Sequence, residues 1–520
     1  MSMLTPEELE KLSPAEALFP SPIPVQCVSS DEYMPGPQTA RQKEFEARIK
    51  ESGARLAKQL GMSRRSFFKT AGGMAAAFVA MNETYAKGAA PFYEVLKGEE
   101  KNLQLAQARA DGLKGQFIMD MHTHFLREGT PIRAFVAQRE AVGKAGWNPA
   151  LAGKPQTIED LMFPNYVKEM FLDSDTKVAC ISGSYSEDEK FNFLTNDMKR
   201  DAREKINKEA GTRRMFSHAI FTPGRPASWL DKVEEEDARL RPDAWKGYTI
   251  GDNTNKHLSK HPFRLDDEKI MYPFYERLVK WSKQYPDRPG LKNVCIHKGL
   301  FPPSVERQFP HLVGYCHVGD VGKAAKDWPD LNFVIYHSAY RWVGGGTPAD
   351  GNAQWERTGR VEWVSDLADI PAQYGVKNVY GDLGQIFAWT AAAEPRLCAF
   401  IMGSLVKGLG ADHVVWGTDS LWTGAPQWQI EALRRLEIPE DMQKKYGFAP
   451  LGAANGSVKN DIFGLNSARI YGYSPKQRAA VLTDRFAECK AIYDKHGGDR
   501  TNLAYGYVLK QPAAASLKTS

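Results

Sequence analysis

The stretch GQFIMDMHTHFLREG, residues 115–129, runs through Phe117, Ile118 and Met119 and then sets Asp120, His122 and His124 at alternate positions before a charged loop. Residues two apart on an extended strand face the same side, so the two imidazoles are expected to point together from the end of a short buried strand. A strand that ends in paired histidines asks what else ends beside it.

Working outward, seven further short apolar segments follow: KVACISG (177–183), RRMFSHAIF (213–221), WKGYTIG (245–251), KNVCIHK (292–298), LNFVIYH (331–337), KNVYGDL (377–383) and HVVWGTD (413–419). Several are nearly continuous apolar runs, the pattern of a parallel sheet covered on both faces. The intervals are long enough for crossover helices, for instance DDEKIMYPFYERLVKWSKQY (266–285) and RVEWVSDLADIPAQYG (360–375). Eight such units predict an α/β fold, a (β/α)8 TIM barrel with long βα-loop insertions and an N-terminal extension. A doubly wound open sheet is the alternative, but no glycine-rich dinucleotide loop opens the chain. His122, His297, His337 and Asp419 each close an apolar run or stand one residue inside its end, and in a barrel those ends meet at one mouth. Insertions at 126–158, 222–262 and 299–322 are expected to enlarge that mouth, and the Trp- and Gly-rich stretch 339–359 to cap a pocket, its glycines allowing a bend.

The chain has 520 residues, enough for such a core with embellishments, and a formal charge of only +5. No dense Lys/Arg block suggests a nucleic-acid groove, and no apolar run reaches the length of a membrane span. Six cysteines are too few to staple the chain. Cys180, Cys295, Cys316 and Cys398 lie in or beside apolar segments and read as free buried thiols.

The organisation expected is an extension at 1–61, an export-signal segment at 62–90, a linker or helix at 91–114, the barrel at 115–475 and a C-terminal helix and tail at 476–520. MSRRSFFKTAGGMAAAFVAM (62–81) sets paired arginines, Arg64 and Arg65, and two phenylalanines before an uncharged Ala- and Gly-rich run. The segment resembles a twin-arginine signal, which implies the Tat export machinery as a partner and a periplasmic location. A basic amphipathic helix is the competing reading. A cut near Ala86 or Ala90 would remove the segment, yet sixty residues precede the arginines, longer than such leaders usually carry.

Imidazole suits zinc and other borderline divalent ions, so His122 and His124 with His297 and Asp419 read as a three-histidine, one-carboxylate metal shell. Zn2+ is the default single ion; Mn2+, Fe2+ and Co2+ also fit. Here the chain resembles the amidohydrolase superfamily, in the branch of amidohydrolase-related hydrolases and aminocarboxymuconate-semialdehyde decarboxylases. FIMDMHTHF, GDVGKAAKDWPDLNFVIYHSAY (319–340), HVVWGTDSLWTG and DIFGLNSARIYGY (461–473) carry the resemblance. It implies His122 and His124 as metal ligands from the first strand, His297 from the fifth and Asp419 from the eighth. It implies His337 as a general acid/base, with Asp419 taking a proton from water. A second metal on a carboxylated lysine would require Lys246, for which an ordinary solvated lysine is the plainer reading.

Arg127, Lys298 and Arg341 are candidates for a carboxylate clamp, and Trp342, Trp389 and Trp422 for an aromatic wall. His218 and His317 either join the site or serve the scaffold; Ser338, Ser420 and Asp382 are candidates to orient the ligands. The leading expectation is hydrolysis of a small ester, lactone or amide, carboxylate-bearing or aromatic. Nonoxidative decarboxylation of a small aromatic or enoic acid is the alternative, and a metal-carrying binding protein the third class. A homo-oligomer is left open.

Overall fold

The computed structural model describes residues 21–25, 39–86, 90–127, 161–184, 192–251 and 258–498. The expected insertion at 126–158 therefore lies almost wholly outside the described residues, as does the tail beyond residue 498.

Eight strands, β1 Met119–Thr123, β2 Val178–Ile181, β3 Met215–Ile220, β4 Ala244–Tyr248, β5 Asn293–His297, β6 Asn332–Tyr336, β7 Val379–Asp382 and β8 Val414–Val415, lie side by side in sequence order. Neighbours from β1 to β8 are parallel. The ends of β8 and β1 meet through Met121 N to Trp416 O at 3.0 Å, Asp419 N to His122 O at 2.8 Å and His124 N to Ser420 O at 2.6 Å, which closes the sheet into a (β/α)8 barrel. Each observed strand lies within or overlaps the expected apolar segment and is shorter.

Among the helices that precede or cross between strands are α1 Ala40–Gln59, α2 Arg64–Phe68, α3 Ala71–Tyr85, α4 Leu103–Leu113, α5 Asn196–Ala210, α6 Trp229–Leu240, α7 Tyr272–Gln284, α8 Glu362–Tyr374, α9 Pro395–Gly408 and α10 Gln427–Arg435. The acidic stretch at 231–237 lies on α6, which exposes Asp231, Glu234 and Glu235 and buries Glu236 and Asp237 with Val233 and Leu240. Met119, Val178, Cys180, Phe216, Cys295, Val334, Tyr336, Tyr380 and Val415 fill the barrel interior as a packed core. Cys180, Cys295 and Cys398 are free and buried, and Cys316 is buried with them.

The segment read as an export signal forms α2 and α3 and is packed into the main core: Phe67 is 0% exposed, Phe68 2% and Phe78 1%. Gly53 and Gly73 permit this approach, since a Cβ at 53 would fall 2.0 Å from the Phe68 ring and one at 73 would fall 2.3 Å from Phe67 O. The seam to the barrel is specific. Asn82 holds the backbone of Phe92 and Tyr93, and Tyr93 gives its hydroxyl hydrogen to Ala391 O at 2.7 Å. Glu99 pairs with Arg435 on α10 at 2.6 Å, and the neighbouring Arg434 donates to Leu113 O at 3.0 Å. No helix among the described residues is long and apolar enough to cross a membrane.

Candidate metal centre

The register of β1 shifts between Asp120 and Thr123, and Asp120 explains how the bent end is held. Its carboxyl accepts the backbone N–H groups of His122 and Thr418, each at 3.1 Å, and the Thr418 hydroxyl, so it straps β1 to the segment after β8. Burial pushes its pKa up to about 8. Asp120 is thus a strut beneath the centre.

Above that strut the histidines converge. His122 Nε2 lies 3.3 Å and His124 Nε2 3.2 Å from the same oxygen, Asp419 Oδ1. The Nδ1 of His122 is 2.9 Å from Asp382 Oδ1. A carboxylate accepts, so Nδ1 carries the hydrogen and Nε2 presents its lone pair to the centre. His337 Nδ1 is 2.9 Å from Gly384 O, which likewise only accepts and leaves Nε2 as the basic nitrogen. Ligand atoms of His122, His337 and Asp419 all lie within 4.8 Å of one another. His297 stands beside this group, its ring 4.6 Å from that of His337 and stacked on Tyr248 at 4.7 Å. The tight trio therefore includes His337, expected as a proton carrier, while His297, expected as a ligand, flanks it.

The protonation pattern fits a cation. Burial holds the imidazoles of His122, His124 and His297 below their ordinary pKa, with Lys246 adding to the effect on His122 and His337 adding to that on His297. Burial also brings His337 down to about 4. Neutral imidazoles beside a carboxylate are the donor set that divalent ions of the zinc type prefer. His337, Ser338, Ala339 and Asp419 sit at φ values of 57°, 44°, 55° and 60°. Such left-handed conformations are costly for residues with a side chain and concentrate at functional sites.

The reading of Lys246 as solvated needs correcting. It lies inside β4, is 0% exposed, and its Nζ stands 3.0 Å over the Tyr336 ring centroid. The three clamp candidates are engaged elsewhere. Lys298 is buried against Asp320 at 2.9 Å and donates to the carbonyls of Tyr315 and His317. Arg341 pairs with Glu306 and Glu362, and Arg127 donates to Asn192 O at 3.2 Å. Trp342 packs on Trp389 within the main core. Trp422 instead stacks on His124 at 5.3 Å, with Phe193 edge-on to both rings. His218 bonds Tyr471 at 2.7 Å in the barrel interior, and His317 pairs with Asp366 at 3.1 Å; both serve the scaffold. Ser338 donates to Asp382 O and Ser420 to Gly424 O. Tyr248 and Tyr336, which pack on the centre, escaped the sequence reading because an aromatic residue on a strand reads as core.

The layout, a parallel barrel with imidazoles and a carboxylate gathered where its strands end, defines a class of metal-dependent barrel enzymes. The family profile described as Amidohydrolase matches residues 119–473, and the chain belongs to this amidohydrolase family, whose members are metal-dependent enzymes. Among solved structures it is similar to 5-carboxyvanillate decarboxylase from Sphingomonas paucimobilis, with 14% identity over 69% of this chain and 100% of that one, TM-score 0.38. It is also similar to a dihydroxybenzoic acid decarboxylase from Polaromonas sp. JS666 with bound manganese, with 14% identity, 70% and 99% coverage and TM-score 0.36. A third is a probable 2-pyrone-4,6-dicarboxylic acid hydrolase from Acinetobacter baumannii, with 12% identity, 68% and 99% coverage and TM-score 0.35. No curated protein matches the chain.

Proposed function

We propose that the chain is a metal-dependent hydrolase of a small ester, lactone or amide. The observation that carries this reading is the convergence of His122 Nε2 and His124 Nε2 on one oxygen of Asp419, with His337 alongside. On this reading His122, His124 and Asp419 hold one divalent ion, zinc by default, with His297 the adjoining donor. The ion when bound supplies a Lewis acid and lowers the pKa of a water from its ordinary value to about 7. Asp419 takes the proton as the water oxygen bonds to the acyl carbon. His337, its Nδ1 hydrogen fixed on Gly384 O, receives that proton from Asp419 at its basic Nε2 and delivers it to the departing oxygen or nitrogen as the acyl bond breaks. Asp382 holds His122 in the tautomer that exposes Nε2.

Decarboxylation is the second reading, favoured by the flat aromatic wall that Trp422 and Phe193 make beside His124. Metal analysis of the purified chain, then turnover of lactones, esters and aromatic acids with carbon dioxide detection, tests both. About one ion per chain and water incorporated into product support hydrolysis; carbon dioxide released without water incorporation replaces it with decarboxylation; a chain that takes up no ion removes both. Asp382→Asn is expected to weaken metal retention about 10- to 100-fold in a chelator competition, while leaving the fold intact.

Location follows the same proposal. The Arg64–Arg65 motif supports export to the periplasm, and the docking of Phe67 and Phe68 supports an exported protein that keeps its N-terminal helices. Replacing both arginines with lysine is expected to shift the protein from the periplasmic to the cytoplasmic fraction; unchanged fractionation would remove the export reading.

A further inference from the structure

The inner face of α5 is a stripe of Lys199, Ala202, Ile206 and Ala210. Three of these are ordinary apolar packing; the first is an ammonium-bearing chain that is 0% exposed. Lys199 Nζ has no hydrogen-bond partner among the described residues. A leucine or methionine would fill this position without the cost of burying a charge.

The amine lies at the mouth of the barrel. Gly183, just beyond β2, leaves it a notch: a Cβ there would fall 2.7 Å from Lys199 Nζ. The preceding Ser182 sets its hydroxyl 3.3 Å from His124 Nε2. The carbonyl of Gly183 accepts the hydroxyl of Tyr248 at 2.8 Å, and the Tyr248 ring stacks on His297. Lys199 thus reaches His124 through Gly183 and Ser182 and His297 through Gly183 and Tyr248, and its charge acts on His124 and His218. Glu236 on α6 attracts it but takes its own hydrogen bond from Asn196 at 2.8 Å. Burial holds the amine down at about 7, with Glu236 pulling the other way.

We propose that Lys199 anchors a carboxylate carried by the substrate, holding it beside the His–Asp centre while the group to be cleaved lies over that centre. The substrate class is then a carboxylate-bearing lactone or ester with a flat ring, the ring meeting Trp422 and Phe193. This rests on the hydrolase reading for the reaction, although the anchoring itself does not require it.

The test is calorimetric titration of benzoate and its neutral analogue benzamide into the metal-loaded full chain, with metal content measured on the same samples. Wild type is expected to bind benzoate about tenfold more tightly than benzamide. K199M abolishes that preference, leaves benzamide affinity and metal content unchanged and melts no lower than wild type; K199R retains part of the preference. Equal binding of the two probes by wild type, or a benzoate preference that survives K199M, overturns the proposal. A lowered melting temperature with the preference intact assigns Lys199 to the scaffold and overturns it as well. A metal-free chain that still prefers benzoate in a Lys199-dependent way keeps the anchor and refutes the metal reading.

Discussion

Asp419→Asn is expected to lower kcat by about a thousandfold or more while leaving the melting temperature close to that of wild type. The substitution is chosen for the backbone. Residue 419 sits at φ 60°, a region that Asn and Asp enter more readily than other side-chain-bearing residues, so the turn after β8 survives. The backbone bonds of that turn, Asp419 N to His122 O and Leu421 N to His124 O, do not involve the carboxylate. What is lost is a negative charge between His122 Nε2 and His124 Nε2, and with it both a ligand and a proton acceptor. Steady-state kinetics on the best substrate found, paired with metal analysis, checks the prediction. Turnover within tenfold of wild type would show that the carboxylate is neither ligand nor base, and the proposed chemistry would go with it.

How much of this centre the sequence discloses depends on which physical property each residue relies on. The strands were legible because burial on two faces demands uninterrupted apolar runs, and the strand-end residues were legible by position. The height and tilt of the rings were not. His337 enters the tight trio because residues 337–339 take a left-handed turn after β6, and nothing in HSAY announces that turn. Lys246 misleads for a different reason: a lysine reads as solvated, yet the Tyr336 ring that receives it comes from β6, ninety residues on. Lys298 and Arg341 fail as a clamp because Asp320, Glu306 and Glu362 reach them first, and pairing across loops leaves no local pattern. The same holds for α10, where Arg434 and Arg435 are each 1% exposed. Burial alone would push the Glu431 carboxyl up; Arg434, Arg435 and Arg109 instead bring it down to about 2.

Removing residues 1–90 is expected to give a protein that precipitates or melts roughly 10 °C or more below the full chain. Helix α3 is buried on nearly every side, including Ala75, Ala77, Phe78 and Met81. A helix apolar all round persists only when enclosed, and what encloses it loses its own cover when it goes. Its departure uncovers Tyr93, whose ring lies 4.9 Å from Phe78, and the guanidinium of Arg435, which stands 5.4 Å over the same ring. It also frees the backbone of Phe92 and Tyr93 from Asn82. Newly exposed apolar surface of this extent costs several kcal/mol, against a typical total stability of about 5–15 kcal/mol. Calorimetric melting of the two lengths decides the matter. A truncated chain as soluble and as heat-stable as the full one would make residues 40–86 a detachable leader, and would restore cleavage near Ala86 or Ala90 as the fate of the segment. A steep loss would mean that the motif resembling an export signal doubles as a wall of the enzyme, so that any transport must carry the folded N-terminal helices along with the barrel.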